Sequence, residues 1–212
     1  MKTKILNNGI ALGLMKEFKS NDLNFCLKII GVLKQNEYII SYSDITNWER
    51  GGAETYNATA TVKTNNNKHK FIAKALISMA TKPEQKLIDW VTRRQLISSL
   101  GIKTPILYSA SNGIVYEEFI DYDFVISDEL NTNILKQVAF IGAVLDKNGF
   151  TAISFDRDIR VMNNELYYVD FGSDLGNPSA KIKNSALDTI LKKFSNTQQE
   201  FIIPIYNRII YN

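Results

Sequence analysis

The sequence predicts an α+β protein in two parts: a β-rich first half and a helical second half that carries one short hairpin. Three observations lead there. YNATATV alternates polar and apolar residues and faces FIAKALI across the Asn-rich run NNNKHK, the pattern of an antiparallel hairpin. PEQKLIDWVTRRQLISSL and LNTNILKQVAFIGAVLDKNG repeat apolar residues at helical spacing, and each runs into a glycine. DIRVM and LYYVDF flank the turn Asn163-Asn164, which sets a second hairpin among the helices.

Taken in order, residues 1–44 read as an N-terminal helical extension, because GIALGLMKEF and LNFCLKIIGVLKQ space their apolar residues by three and four and Asp22 can cap the second segment. The glycine pair Gly51-Gly52 marks the entrance to the first hairpin. Pro83 opens the first long helix, whose Leu87, Trp90, Val91, Ile97 and Leu100 share much of one face, and Gly101 closes it. PILYSASNGIVYEEFI is a further strand pair turning at Ser111-Asn112-Gly113, and it completes a β-rich part spanning residues 45–120. A connector near 117–124 leads to the helical part, residues 121–212. Its tail, SALDTILKKF and QQEFIIPIYNRIIYN, supplies one or two more helices, with Pro204 expected to kink or break the last.

Composition bounds the chemistry. At 212 residues, 45% hydrophobic and 22% charged, the chain is an ordinary globular protein, long enough for an enzyme. The net charge of +3 is dispersed, as in Lys63, Lys68 and Lys70 or Arg93 and Arg94, which argues against nucleic acid as the main partner. The single cysteine, Cys26, allows no internal disulfide. NNGIALGLM is too short and interrupted to span a membrane, so the expectation is a cytoplasmic protein, or one exported by a dedicated secretion machine. The single histidine, His69, lies in a polar turn, which leaves histidine-based catalysis and metal sites without support. An enzyme built on this chain works with carboxylates and lysine.

Two residues stand out on that basis. Lys74 sits mid-strand in FIAKALI, where a rigid backbone could aim a compact positive charge. Asp170 ends the apolar run YYVDFG, either as a metal ligand at a strand end or as the polar stop of a buried strand. Gly172 lets the chain turn away without a side chain in the path.

The order of parts carries more than either residue. A glycine-containing hairpin, a mid-strand lysine, a helix, a strand ending in YEEFI, a helix, and a hairpin ending in Asp-Phe-Gly resembles the protein-kinase-like superfamily, and more closely its aminoglycoside phosphotransferase and Bud-type atypical kinase branch. The resemblance covers residues 45–195 and implies a bilobal fold with a β-rich N-lobe and a small helical C-lobe. It implies ATP and Mg²⁺ as cofactors, with Lys74 on the nucleotide phosphates and Asp170 on the metal. Gly51 and Gly52, beside Glu54 and Thr55, would lie over the phosphates, and main-chain groups of Glu117, Glu118 and Phe119 would meet the adenine edge. A carboxylate of the long helix, Asp89 ahead of Glu84, would orient Lys74.

The family's catalytic loop, His-x-Asp-x-x-x-x-Asn, is where the pattern departs. Counting back 12 residues from Asp170 reaches Asp158, a hard oxygen ligand in place of the metal-binding asparagine. Five residues earlier, where the family has its catalytic aspartate, stands Ile153, with Thr151 in place of the histidine. Either Asp156 reaches the substrate hydroxyl from a shortened loop, or the base is absent, and Arg157 and Arg160 pair with these acids or with phosphate. The expected activity is γ-phosphate transfer to a hydroxyl. About 40 residues follow Asp-Phe-Gly, which leaves little room for a substrate lobe and favours a protein acceptor over a small molecule. The alternative is a pseudokinase, a binding module that holds a protein partner without catalysis.

Overall fold

The computed structural model describes residues 28, 33–42, 49–50, 55–76, 83–111, 114–150, 155–172, 175 and 185–212. Of the expected helical extension over residues 1–44, GIALGLMKEF and most of LNFCLKIIGVLKQ lie outside the described residues, as do Gly51 and Gly52, Glu54, Thr151 and Ile153, and its end is not helical: Ile39–Tyr42 form a strand, paired antiparallel with residues 62–64. Two compact units emerge, one of Met1–Val91 with Pro105–Phe119, the other of Thr92–Thr104 with Ile120–Asn212.

The first unit is built on a six-stranded antiparallel sheet. Its strands are β1 (Ile39–Tyr42), β2 (Glu49–Arg50), β3 (Thr55–Thr64), β4 (Lys68–Leu76), β5 (Leu107–Ser111) and β6 (Ile114–Glu118). The order is β1-β3-β4-β6-β5, with β2 also pairing β3. The β3–β4 hairpin is the one that alternation predicts, registered from Thr55 opposite Leu76 to Lys63 opposite Lys68. Alternation also sorts its faces: Ala58, Val62, Phe71, Ala73 and Tyr116 are buried together on one, which leaves Asn57, Lys74 and Val115 on the other. At the hairpin's turn end, Glu37 is fully buried and gathers the Lys34 N–H at 2.8 Å, the Thr64 hydroxyl at 3.2 Å and His69 Nε2 at 2.9 Å. His69, expected as a solvated turn residue, is thus half-buried against a carboxylate.

Helix α1 (Pro83–Ser99) begins at Pro83 and ends before Gly101, whose φ of 85° is the left-handed stop that the sequence predicts. The unit boundary falls within this helix, between Val91 and Thr92.

In the second unit, helix α2 (Thr132–Lys147) is the buried axis. Asn131 caps it by accepting the Ile134 N–H at 3.0 Å, and Gly149, at φ 73°, follows its end. Helices α3 (Ser185–Leu191) and α4 (Asn196–Tyr211) pack on it. Gly142 permits that approach, since a Cβ there would lie 3.3 Å from Leu187 Cδ1. Of the two outcomes expected at Pro204, a kink or a break, the break does not occur: α4 runs through it. Ile202 and Tyr206 on either side of it are buried, and Tyr206 donates to Asp146 at 2.9 Å, so tertiary packing holds the helix through the missing N–H. A small sheet of β7 (Tyr122–Asp123), β8 (Ile159–Met162) and β9 (Glu165–Tyr168) completes the unit. Its β8–β9 turn places Asn163 and Asn164 at φ 53° and 60°, the left-handed pair of a type I′ hairpin.

Candidate functional site

In the first unit Lys74 lies mid-strand in β4 and is only 9% exposed. Its ammonium pairs with the Glu117 carboxylate of β6, itself 1% exposed, and sits 5.6 Å from the Trp90 ring centre. Register explains the meeting: Glu117 stands opposite Ile72, two residues from Lys74 and on the same face. The pair satisfies two charges that burial would otherwise penalise.

Asp89 does not meet this lysine. It is exposed and accepts a hydrogen bond from Gln85 Nε2 at 3.0 Å within its own helix. Helix rotation is the reason, since Leu87 and Trp90 face inward and Asp89 shares the outer face with Ile88. The expected adenine-facing segment also differs in detail. The Glu118 N–H donates to the Ile106 carbonyl at 2.9 Å and the Phe119 N–H to the Lys70 carbonyl at 3.2 Å, so both donors are engaged within the unit. Glu117 contributes its side chain, a role that a reading limited to its backbone overlooks. On the other face of β6, burial pushes the Tyr116 hydroxyl up to about 12, which keeps it protonated at neutral pH.

In the second unit the β8–β9 hairpin gathers the acids. Beyond the last registered pair, Ile159 with Tyr168, the Val169 N–H donates to the Asp158 carbonyl at 2.8 Å. Asp158 and Asp170 are therefore brought to one end of the hairpin. Asp158 is 3% exposed and its Oδ2 accepts the Tyr168 hydroxyl at 3.2 Å. Asp170 is half-buried, and its Oδ1 accepts the Gly172 N–H at 3.0 Å, a short side-chain-closed turn. The hairpin is held from outside its own strands. Gln137 of α2 accepts the Leu166 N–H at 2.8 Å, and Asn131 donates to the Asn164 side chain at 2.8 Å.

Two carboxylates at a hairpin end are the donor set that Mg²⁺ prefers, with its remaining positions left to water and phosphate oxygens. Among the described residues there is no cluster of three or more histidine, cysteine or acidic side chains poised for a metal. Asp158 and Asp170 are the residues that would hold such an ion.

Asp156, the candidate base, is held by the Lys193 ammonium beyond α3. Arg160 pairs with Asp123 at 2.9 Å and donates to the Arg157 carbonyl at 2.7 Å, so it braces its own loop and the edge strand β7. Among the described residues, no helix is long and apolar enough to cross a membrane.

No protein-family model and no curated protein matches the sequence. Solved structures do match the fold. Macrolide 2'-phosphotransferase MphH from Brachybacterium faecium, as apoenzyme, aligns with a TM-score of 0.51 at 8% identity, over 89% of this chain and 83% of its own. The streptomycin–ATP–APH(2")-IIa ternary complex gives 0.47 at 12% identity, over 92% and 84%. The Rio2 kinase–ADP/Mg²⁺–phosphoaspartate complex from Chaetomium thermophilum gives 0.43 at 11% identity, over 81% and 71%. At the identity of the first, the likeness is one of fold, and the chain has the α+β, protein-kinase-like fold of that phosphotransferase.

Proposed function

We propose that the chain is an ATP- and Mg²⁺-dependent phosphotransferase that moves a γ-phosphate to a hydroxyl acceptor, with a protein surface as the favoured acceptor. The observation that carries this reading is the β8–β9 hairpin end, where the Val169–Asp158 backbone bond sets Asp158 beside the strand that closes in Asp-Phe-Gly at Asp170. Mg²⁺ held there would neutralise phosphate charge, the main need of a reaction in which the protein does little covalent work. Asp170 and Asp158 are the residues that would hold it. Lys74 supplies a fixed positive charge for the phosphates, with Glu117 limiting its rotamers. Gly51 and Gly52 remain the candidates for backbone donors over the phosphates.

The test is a thermal shift with ATP, with and without Mg²⁺, on the wild type and on Asp170→Ala. A ligand at 100 times its Kd stabilises by about 2.7 kcal/mol, several degrees for a chain of this size. We expect a shift that needs Mg²⁺ and is lost in the variant. A wild type that millimolar Mg²⁺ and ATP leave unmoved would sink the reading.

A second reading is a pseudokinase that binds a protein partner. The Asp156–Lys193 pair favours it, because a carboxylate shared with an ammonium is poorly placed to take a hydroxyl proton. Ile153 at the usual base position points the same way.

A further inference from the structure

Arg93 of α1 is half-buried, and its Nη1 donates to two carbonyls, Phe171 at 3.3 Å and Gly172 at 2.8 Å. Both follow Asp170 directly. The C=O of Phe171 and the N–H of Gly172 belong to one peptide group, which is planar and trans, so the two point in opposite directions. Arg93 holds the C=O end of that plane, and Asp170 Oδ1 holds the N–H end at 3.0 Å. Rotating the peptide would break both contacts at once. Phe171 cannot follow such a rotation cheaply, because its ring is fully buried and lies 5.7 Å from that of Tyr168, whose hydroxyl reaches Asp158.

We propose that Arg93 is a positioning residue for Asp170: it locks the Phe171–Gly172 peptide and so fixes the direction in which the Asp170 carboxylate is presented to a metal. The inference rests on the phosphotransferase reading for the identity of the metal. It does not follow from the family pattern, which assigns no role to this arginine. A planar guanidinium can aim two N–H groups of one nitrogen at adjacent carbonyls, which the rotating ammonium of lysine does with less direction.

The experiment titrates Mg²⁺ at fixed ATP and follows the thermal shift of the full chain in wild type, Arg93→Met and Arg93→Lys, with ATP alone in EDTA as the parallel measurement. The Mg²⁺ midpoint should rise about tenfold or more in Arg93→Met, with Arg93→Lys in between and the response in EDTA unchanged. If Arg93→Met does not fold, Arg93→Lys alone carries the test, with a rise of about threefold expected. A wild-type midpoint in whichever variants fold overturns the proposal and leaves the phosphotransferase reading standing. An equal loss with and without Mg²⁺ overturns it as well, because a merely structural arginine would weaken both. A wild type with no Mg²⁺-dependent response removes the parent reading and this inference with it.

Discussion

Glu37 shows how a single buried carboxylate becomes a pH-dependent strut. The Lys34 backbone N–H is the largest influence holding it down to about 2, with His69 and Asn67 adding to it against the opposing effect of burial. A carboxylate depressed in the folded state contributes stability that is complete above its ordinary value of 4.5 and is lost as the pH falls toward 2. Glu37→Gln should therefore be less stable than wild type at pH 7, and the gap should narrow between about pH 5 and pH 2. Urea midpoints at pH 7, 4 and 3 check this, and a constant gap would show that the charge is not the source. The Lys74–Glu117 pair follows different logic: both partners are buried, so the arrangement is costly to break while adding little net stability over an apolar pair. Its value lies in fixing where a positive charge points. The sequence marks Lys74 as a mid-strand cation but cannot reveal its partner, because the Glu117 contact depends on strand register between segments far apart in the chain. Asp89 illustrates the converse, since its place along the helix is counted from Gly101 while the inward face, marked by Leu87 and Trp90, leaves it outside.

Elements were legible where local patterns decide them. Alternation and a polar turn specify β3–β4, and the left-handed asparagines Asn163 and Asn164 specify β8–β9. Gly101 and Gly149 mark helix ends because each takes a positive φ. What remained hidden was cross-element chemistry, and Asp146 is the clearest case. In the sequence it is an ordinary acid near a helix end. In the fold it is 8% exposed and accepts the Ala186 N–H at 2.9 Å, the Leu187 N–H at 3.3 Å and the Tyr206 hydroxyl at 2.9 Å, which ties α2, α3 and α4 together. Burial, with the Asp146 bond next, pushes the Tyr206 hydroxyl well above its usual range, so it remains a donor at neutral pH. Asp146→Ala leaves two N–H groups and a hydroxyl without that acceptor and should cost about 3 kcal/mol or more. Chemical denaturation measures it, and a cost under about 1 kcal/mol would mean that water replaces the carboxylate without loss. Asp146→Asn should recover part of the stability, because the amide oxygen can still accept.

At the scale of the whole molecule the open quantity, on the proposed reading, is turnover. Typical kinases turn over at about 1–100 s⁻¹. Losing a general base costs about 10²–10⁴ in rate, because the loose phosphoryl-transfer transition state depends more on metal charge and positioning than on proton removal. With Ile153 at the base position and Asp156 held by Lys193, the chain should transfer phosphate at about 10⁻⁴ to 1 s⁻¹. Release of ADP and labelling of the chain itself by γ-labelled ATP are the readouts. Asp170→Ala should remove the activity, and Asp156→Asn should change it by less than about tenfold. A fall of about 10² or more in Asp156→Asn would instead make Asp156 the base, with Lys193 yielding to the acceptor hydroxyl. If Mg²⁺ and ATP stabilise the protein but no phosphate moves even after hours, the chain uses its fold to bind rather than to transfer, and the pseudokinase reading takes the place of the enzyme.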